Sequence, residues 1–214
     1  MTESFDTRLN AFYRSDSSRA QIDNIYDDWA KDYDRQNWAS GNPYIGAMTG
    51  LAGRYIEDRN ARILDAGCGS GLLAHMLQII GFSNIIGIDA SEGMLEAAAA
   101  KDCYAELHKM LVGERIDLPQ ESFDAVTAAG VLTLGHAPPE SLQGLIGVAK
   151  PGAPIIFSIS KPAAEDLGFN GEMDRLEREG LWRLEEKTDP FVSFPYVEGY
   201  EEMRHWICVY RKSS

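Results

Sequence analysis

The 214-residue chain is 44% hydrophobic and 25% charged, with a formal charge of −13. That is the balance of a globular domain in water, and a surface this acidic repels phosphate backbones and anionic lipid heads. Nucleic acid and membrane are therefore not expected as partners. Three scattered cysteines, Cys68, Cys103 and Cys208, lack CxxC spacing, which argues against a disulfide framework or a zinc site, and no metal is expected. No secretory pattern opens the chain and no apolar run reaches the ~18 residues needed to cross a bilayer, so a reduced cytoplasmic compartment is the expectation.

In chain order, residues 1–60 read as a polar helical cap studded with aromatics. Asp23, Asn24 or a neighbour is placed to cap a helix through IYDDWAKDYD, and SGNP (Ser40–Pro43) separates it from a second helix through YIGAMTGLAGRYI. From Arg62 strands and helices alternate. RILDA reads as a strand, and LLAHMLQIIG as a helix with Leu72, Leu73, Met76, Leu77 and Ile80 on one face, closed by Gly81. NIIGIDA is a second buried strand, and Ser91 caps the alanine-rich helix after it. YAELHKML alternates weakly as a third strand, FDAVTAAG is a fourth, and SLQGLIGVAKPG is a helix stopped by Pro151 and Gly152. APIIFSIS is a fifth strand and EMDRLEREG a helix. The segments LWRLEEKTDPFVSF and RHWICVYRK have no helix between them and should pair as an antiparallel hairpin at one end of the sheet.

The pattern predicts an α/β fold: a Rossmann-like, seven-stranded, mostly parallel sheet with helices on both faces, an antiparallel C-terminal hairpin strand and an N-terminal helical cap. One domain over 1–214 is expected, with 1–60 as cap or lid and 61–214 as the core.

In such sheets ligands settle beyond the carboxyl ends of the strands, where the chain order reverses. The stretch ILDAGCGSG (Ile63–Gly71) puts Asp65, Gly67, Gly69 and Gly71 there. A dinucleotide fingerprint would need a glycine at position 72, which is Leu72, and the GK[ST] of a phosphate-binding loop is absent. Asp65 would repel a pyrophosphate but suits an ammonium group. Asp89 ends the next strand, where two carboxylate oxygens can accept from both hydroxyls of an unphosphorylated ribose. A nucleoside with an amino-acid tail and no phosphate is S-adenosylmethionine.

DAGCGSG with IGIDAS, then LPQESFDAVTAAGVL and LIGVAKPGAPIIFS, resembles the class I S-adenosylmethionine-dependent methyltransferases over roughly residues 22–160. IYDDWAKDYD, GVLTLGHAPPE and MDRLEREGLW resemble one methyltransferase-like branch of that family. The resemblance implies that Ala66 and the Gly67–Gly69 backbone pass beside the methionine portion, with Asp65 near its ammonium. It also implies that Asp89 holds the ribose, that Ala90, Ser91 and Met94 line the adenosine, and that Met110 and Leu111 flank the adenine. Ala129 and Gly130 lie where the methionine tail rests. The acidic residue often found opposite the adenine amino group is missing from HKMLV, leaving backbone groups or Glu114 for that contact.

Tyr26 and Tyr33, two helical turns apart, can form an aromatic wall beside a sulfonium, or simply pack the helix onto the core. His136, just past the fourth strand, is a candidate general base, against the commoner reading of a surface histidine. Trp38 and Tyr44, with Phe191, Phe194 and Tyr196, are candidates for an acceptor pocket. A small-molecule methyl acceptor is expected, a protein side chain being the alternative, and the oligomeric state is open. Two rivals remain: a protein that binds the cofactor without transferring from it, and a nicotinamide-dependent oxidoreductase, which the glycine spacing and Asp65 disfavour.

Overall fold

A computed structural model describes residues 7–9 and 19–214. Strand alternation organises the core. In β1 (Ile63–Ala66) the side chain of Ile63 points to one face and Leu64 and Ala66 pack on the other. The same division runs through β5 (Pro154–Ser160) and β8 (Arg204–Lys212): Ile156, Ile207 and Val209 face one layer, while Ile155, Phe157, Trp206, Cys208 and Tyr210 face the other. A sheet apolar on both sides must be covered on both sides.

One face is covered by α2 (Tyr44–Tyr55) and α3 (Leu72–Ile79), through Met48, Leu51, Leu73 and Leu77. The other face is covered by α5 (Ser141–Val148), α6 (Lys161–Asp166) and α7 (Phe169–Arg178), through Leu142, Leu145, Ala163, Phe169 and Leu176. The remaining elements are α1 (Arg19–Ala39), β2 (Ile85–Asp89), α4 (Glu92–Ala99), β3 (Glu106–Lys109), β4 (Ala125–Leu132), β6 (Trp182–Lys187) and the two-residue β7 (Phe191–Val192).

The strand order is β3-β2-β1-β4-β5-β8-β6, with β7 pairing β8 alongside that path. Seven strands thus form the main sheet, as expected, and β7 is an eighth. β1 pairs in parallel with both β2 and β4, so the chain order reverses between β1 and β4. β8 is antiparallel to its neighbours but lies one place in from the end, between β5 and β6. Its buried residues need a strand on each side, whereas β6 carries exposed residues that suit an edge.

Several local expectations need correction. α1 already runs from Arg19, so positions 23 and 24 lie inside the helix and not at its start. Ile80 is 37% exposed, because α3 ends at Ile79 and Ile80 turns off the buried face. Gly81, at φ 101°, does close that helix: its N–H bonds Gln78 O and the Phe82 N–H bonds Leu77 O. Ser91 caps α4 by accepting from Met94 N at 3.0 Å. The short α6 was not expected; Ser160 caps it from the last position of β5, a signal hidden by the strand.

Candidate functional site

β1 runs into the glycine turn, where the N–H groups of Gly67 and Cys68 both donate to Ile88 O, at 2.8 and 2.9 Å. Gly67 sits at φ 69°, and a Cβ there would lie 2.3 Å from Val131 Cγ2, so the turn accepts only glycine. Asp89, at the end of β2, ties the turn to the next one. Its Oδ2 accepts from Gly69 N at 2.8 Å and its Oδ1 from Ser91 N at 2.9 Å. A carboxylate oxygen can accept more than one hydrogen bond, which is the capacity a ribose diol requires.

Asp65 is 1% exposed at the floor of the same cleft. Tyr104 Oη donates to its Oδ2 at 2.8 Å and Thr127 Oγ1 to its Oδ1 at 3.0 Å. Burial raises its pKa from the ordinary carboxylate range to about 6, against the pull of those two hydroxyls, and the neighbouring Asp89 charge adds to the rise. Among the described residues no Lys or Arg pairs with this carboxyl, and a cationic ligand would meet it. Cys68 beside it has its thiol pushed well up, by burial first and then by Asp65, so it is no nucleophile.

The cleft, taken together with the solvent at its open mouth, encloses about 860 Å³. Of the residues anticipated for the cofactor, the structure gathers Tyr26, Tyr33, Asp65, Gly67, Gly69, Asp89, Ala90, Ser91, Met94, Met110, Ala129 and Gly130 along its walls, together with His136 and Tyr44. Other anticipated residues fall outside. Ala66 is fully buried in the core, where strand alternation turns it away from the floor. Leu111 is half exposed, on the opposite side of its segment from Met110. Trp38 is also half exposed: one residue past Asn37, it is rotated by about 100° from the face that Tyr26, Tyr33 and Asn37 share. Tyr196 is exposed and Phe191 packs against the core, while Glu114 is exposed and off the wall.

His136 Nδ1 lies 3.0 Å from Leu134 O, a pure acceptor, so Nδ1 carries the proton. Nε2 therefore accepts from Tyr26 Oη at 2.7 Å. Tyr26 stacks on Trp29 with centroids 5.9 Å apart, and Tyr33 meets Trp29 edge-on at 5.0 Å. Two acids hold this aromatic helix down. Asp27 accepts from Ser91 Oγ and Gly93 N, and Asp34 accepts from Ser70 Oγ and pairs with Lys101 at 2.6 Å.

A second, smaller chamber adjoins the cleft and shares Tyr26, Tyr33, Tyr44, Gly130 and His136 with it. Leu9, Trp29, Asn37, Thr133, Phe194 and His205 complete its described lining. Sequence reasoning anticipated Tyr44 and Phe194 but neither Asn37 nor His205. His205 sits in the regular alternation of β8, which hides which interior it faces. Among the described residues no group of three or more His, Cys, Asp or Glu is placed to hold a metal.

A doubly wound sheet with an acid before a glycine turn and a second acid on the next strand defines a site for an aminoacyl nucleoside. A family model described as a methyltransferase domain matches residues 64–157. The human protein named methyltransferase-like protein 27 is 33% identical over 178 residues, covering 76% of this chain and 69% of that protein. The chain belongs to the class I S-adenosylmethionine-dependent methyltransferases. It is also similar to a demethylmenaquinone methyltransferase of Symbiobacterium thermophilum, at 29% identity over 68% of this chain and 61% of the enzyme, so it spans under two thirds of that relative. The solved structure of the [4+2]-cyclase SpnF shares the fold, with a TM-score of 0.70 at 17% identity over 92% of this chain and 96% of the other.

Proposed function

We propose that this chain binds S-adenosylmethionine in the main cleft and methylates a small molecule held in the adjoining chamber. The observation that carries the reading is the pairing of a buried, uncompensated Asp65 with an Asp89 fixed by two backbone N–H groups. Asp65 answers the ammonium, Asp89 the ribose diol, and Met94 and Met110 the adenine faces. With Leu111 and Glu114 off the wall, the adenine amino group is left to backbone acceptors.

When bound, S-adenosylmethionine supplies an electrophilic methyl carbon whose bond to the positively charged sulfur breaks as the acceptor's lone pair attacks. The protein's part is alignment and exclusion of water, worth several kcal/mol of barrier. α1 contributes a wall of tyrosines, whose π-faces favour a cation beside them. The Tyr26 hydroxyl and His136 Nε2 stand where the cleft meets the chamber, and a proton shed by an acceptor can pass through Tyr26 to that neutral ring nitrogen. The demethylmenaquinone methyltransferase is named for a quinone-type small molecule, which supports an acceptor of that size.

The [4+2]-cyclase SpnF on a shared fold supports a second reading, binding without transfer. Titration calorimetry with S-adenosylmethionine and with NAD tests the first point: the former should bind and the latter should not, and binding of NAD alone would sink the proposal. Incubation with radiolabelled methyl donor and a panel of acceptors tests the second. Label should appear in a small-molecule product, and an intact cofactor site with no transfer to any acceptor class supports the non-transferring reading.

A further inference from the structure

Gly130, which faces both the cleft and the chamber, sits in an interruption of the sheet. β4 and β5 pair in register up to Ala128 and Phe157, and again at Leu132 and Ile159. Between those points Ala129, Gly130 and Val131 lie opposite the single residue Ser158, so β4 bulges at the cleft. Ser158 is fully buried and lines neither cavity. Its side chain stands in for the lost ladder: the Gly130 N–H donates to Ser158 Oγ at 2.8 Å.

The bulge is pressed from two sides. Gly130 takes φ 72°, and a Cβ on it would lie 2.8 Å from Tyr44 Oη, so α2 closes on it directly. Beside it, Val131 reaches the glycine turn, where its Cγ2 would lie 2.3 Å from a Cβ on Gly67. The bulge also belongs to one end of the cleft. Thr127, two residues before Ala129 on β4, donates to the Asp65 carboxyl. Asp89 lies on β2, on the far side of β1, where Gly69 N and Ser91 N fix it.

Resting on the methyl-transfer reading above, we propose that Ser158 is a positioning residue for the cofactor. By holding the Gly130 amide it fixes the bulge against which the aminoacyl end of S-adenosylmethionine lies. Without the hydroxyl the Gly130 N–H has no acceptor, and the bulge shifts to recover one. The aminoacyl tail then loses its wall, while a nucleoside at Asp89 keeps its partners.

Calorimetry on the full chain tests this with two ligands, S-adenosylhomocysteine and methylthioadenosine. The second keeps the nucleoside and the thioether but has no amino-acid tail. Ser158→Ala removes the acceptor, and Ser158→Cys keeps nearly the same volume but offers only a weak one, which keeps the test open if the alanine variant folds poorly. Below the melting temperatures of the variants, each substitution should weaken S-adenosylhomocysteine by about tenfold and leave methylthioadenosine within about twofold of its native affinity. A merely structural role would move both ligands together. Unchanged S-adenosylhomocysteine affinity in the variants, equal weakening of the two ligands, or a native chain without affinity for methylthioadenosine overturns the assignment. Failure of S-adenosylhomocysteine to bind the native chain would instead strike at the methyl-transfer reading.

Discussion

Asp65 shows how one residue can be costly to the empty protein and useful to the occupied one. Its carboxyl is out of water, with only two hydroxyls for company, and its pKa stands at about 6 instead of 3.8. Between those two values the folded protein holds a proton that the unfolded chain has released. By linkage this group makes the ligand-free protein less stable as pH rises from about 4 to about 6. A cationic ligand reverses the preference, because it binds the carboxylate and must expel the proton below about 6. S-adenosylmethionine affinity should therefore be flat above pH 6 and fall about tenfold per unit below it. Calorimetry from pH 5 to 8, in buffers of differing ionisation enthalpy, should show proton release at the acid end. Asp65→Asn should bind weakly and lose that slope; an unchanged slope in the variant would place the titration elsewhere. The residues that build this environment, Tyr104 and Thr127, come from β3's approach and from β4, and no local pattern connects them to Asp65.

At the scale of elements, α1 is the piece whose attachment matters most to the cleft. Its aromatic face was legible from the seven-residue spacing of Tyr26 and Tyr33. Its attachment was not, because that depends on Asp27 meeting Ser91 and Gly93 at the start of α4, and on Asp34 meeting Ser70 and Lys101. The Ser91 hydroxyl and the Gly93 N–H hold the Asp27 carboxyl below its usual pKa, so this attachment is complete at neutral pH and is lost as acid protonates the carboxylate. These two charge-assisted contacts add to the apolar packing of Tyr26, Trp29 and Tyr33 with Phe194, Val197 and Tyr200, and their removal should let the helix open separately from the sheet. Asp27→Ala combined with Asp34→Ala should speed amide exchange in α1 by about tenfold or more while exchange in β1, β4 and β5 is unchanged. Hydrogen exchange read by mass spectrometry, with and without S-adenosylhomocysteine, checks this. If the sheet exchanges faster as well, α1 is part of the same cooperative unit as the core.

At the scale of the molecule, the cleft end and the far edge of the sheet have separate foundations. The edge strand β6 is anchored by Trp182, whose ring stacks at 4.0 Å on Tyr210 and at 6.0 Å on Phe157, with Nε1 donating to Met173 O. This cluster lines neither the cleft nor the chamber. Trp182→Ala should cost about 3–5 kcal/mol and lower the melting temperature by roughly 10 °C. Below that temperature, S-adenosylmethionine affinity should stay within about twofold of the native chain, since distant sites act independently. A melting scan and a titration on the same sample decide it, and a parallel loss of affinity would show that the edge supports the cleft.

The sequence alone carried the features that repeat or sit next to one another in the chain. Strand and helix alternation follows from the period of apolar residues, and the turn at Gly67 from a glycine-rich run that can take positive φ. The class of cofactor followed from an acid one residue before the turn and another at the end of the next strand. Each of these is a local consequence of backbone geometry or of the crevice rule for parallel sheets. The structure decided what depends on residues far apart in the chain. Trp38 turned outward while Asn37, one step back, turned in, and Leu111 left the wall that Met110 kept. β8 slid between β5 and β6, and that placement carried His205 to the chamber beside Asn37, 168 positions away in the numbering. Packing brings such pairs together by satisfying burial over the whole molecule, and no window of sequence contains that information.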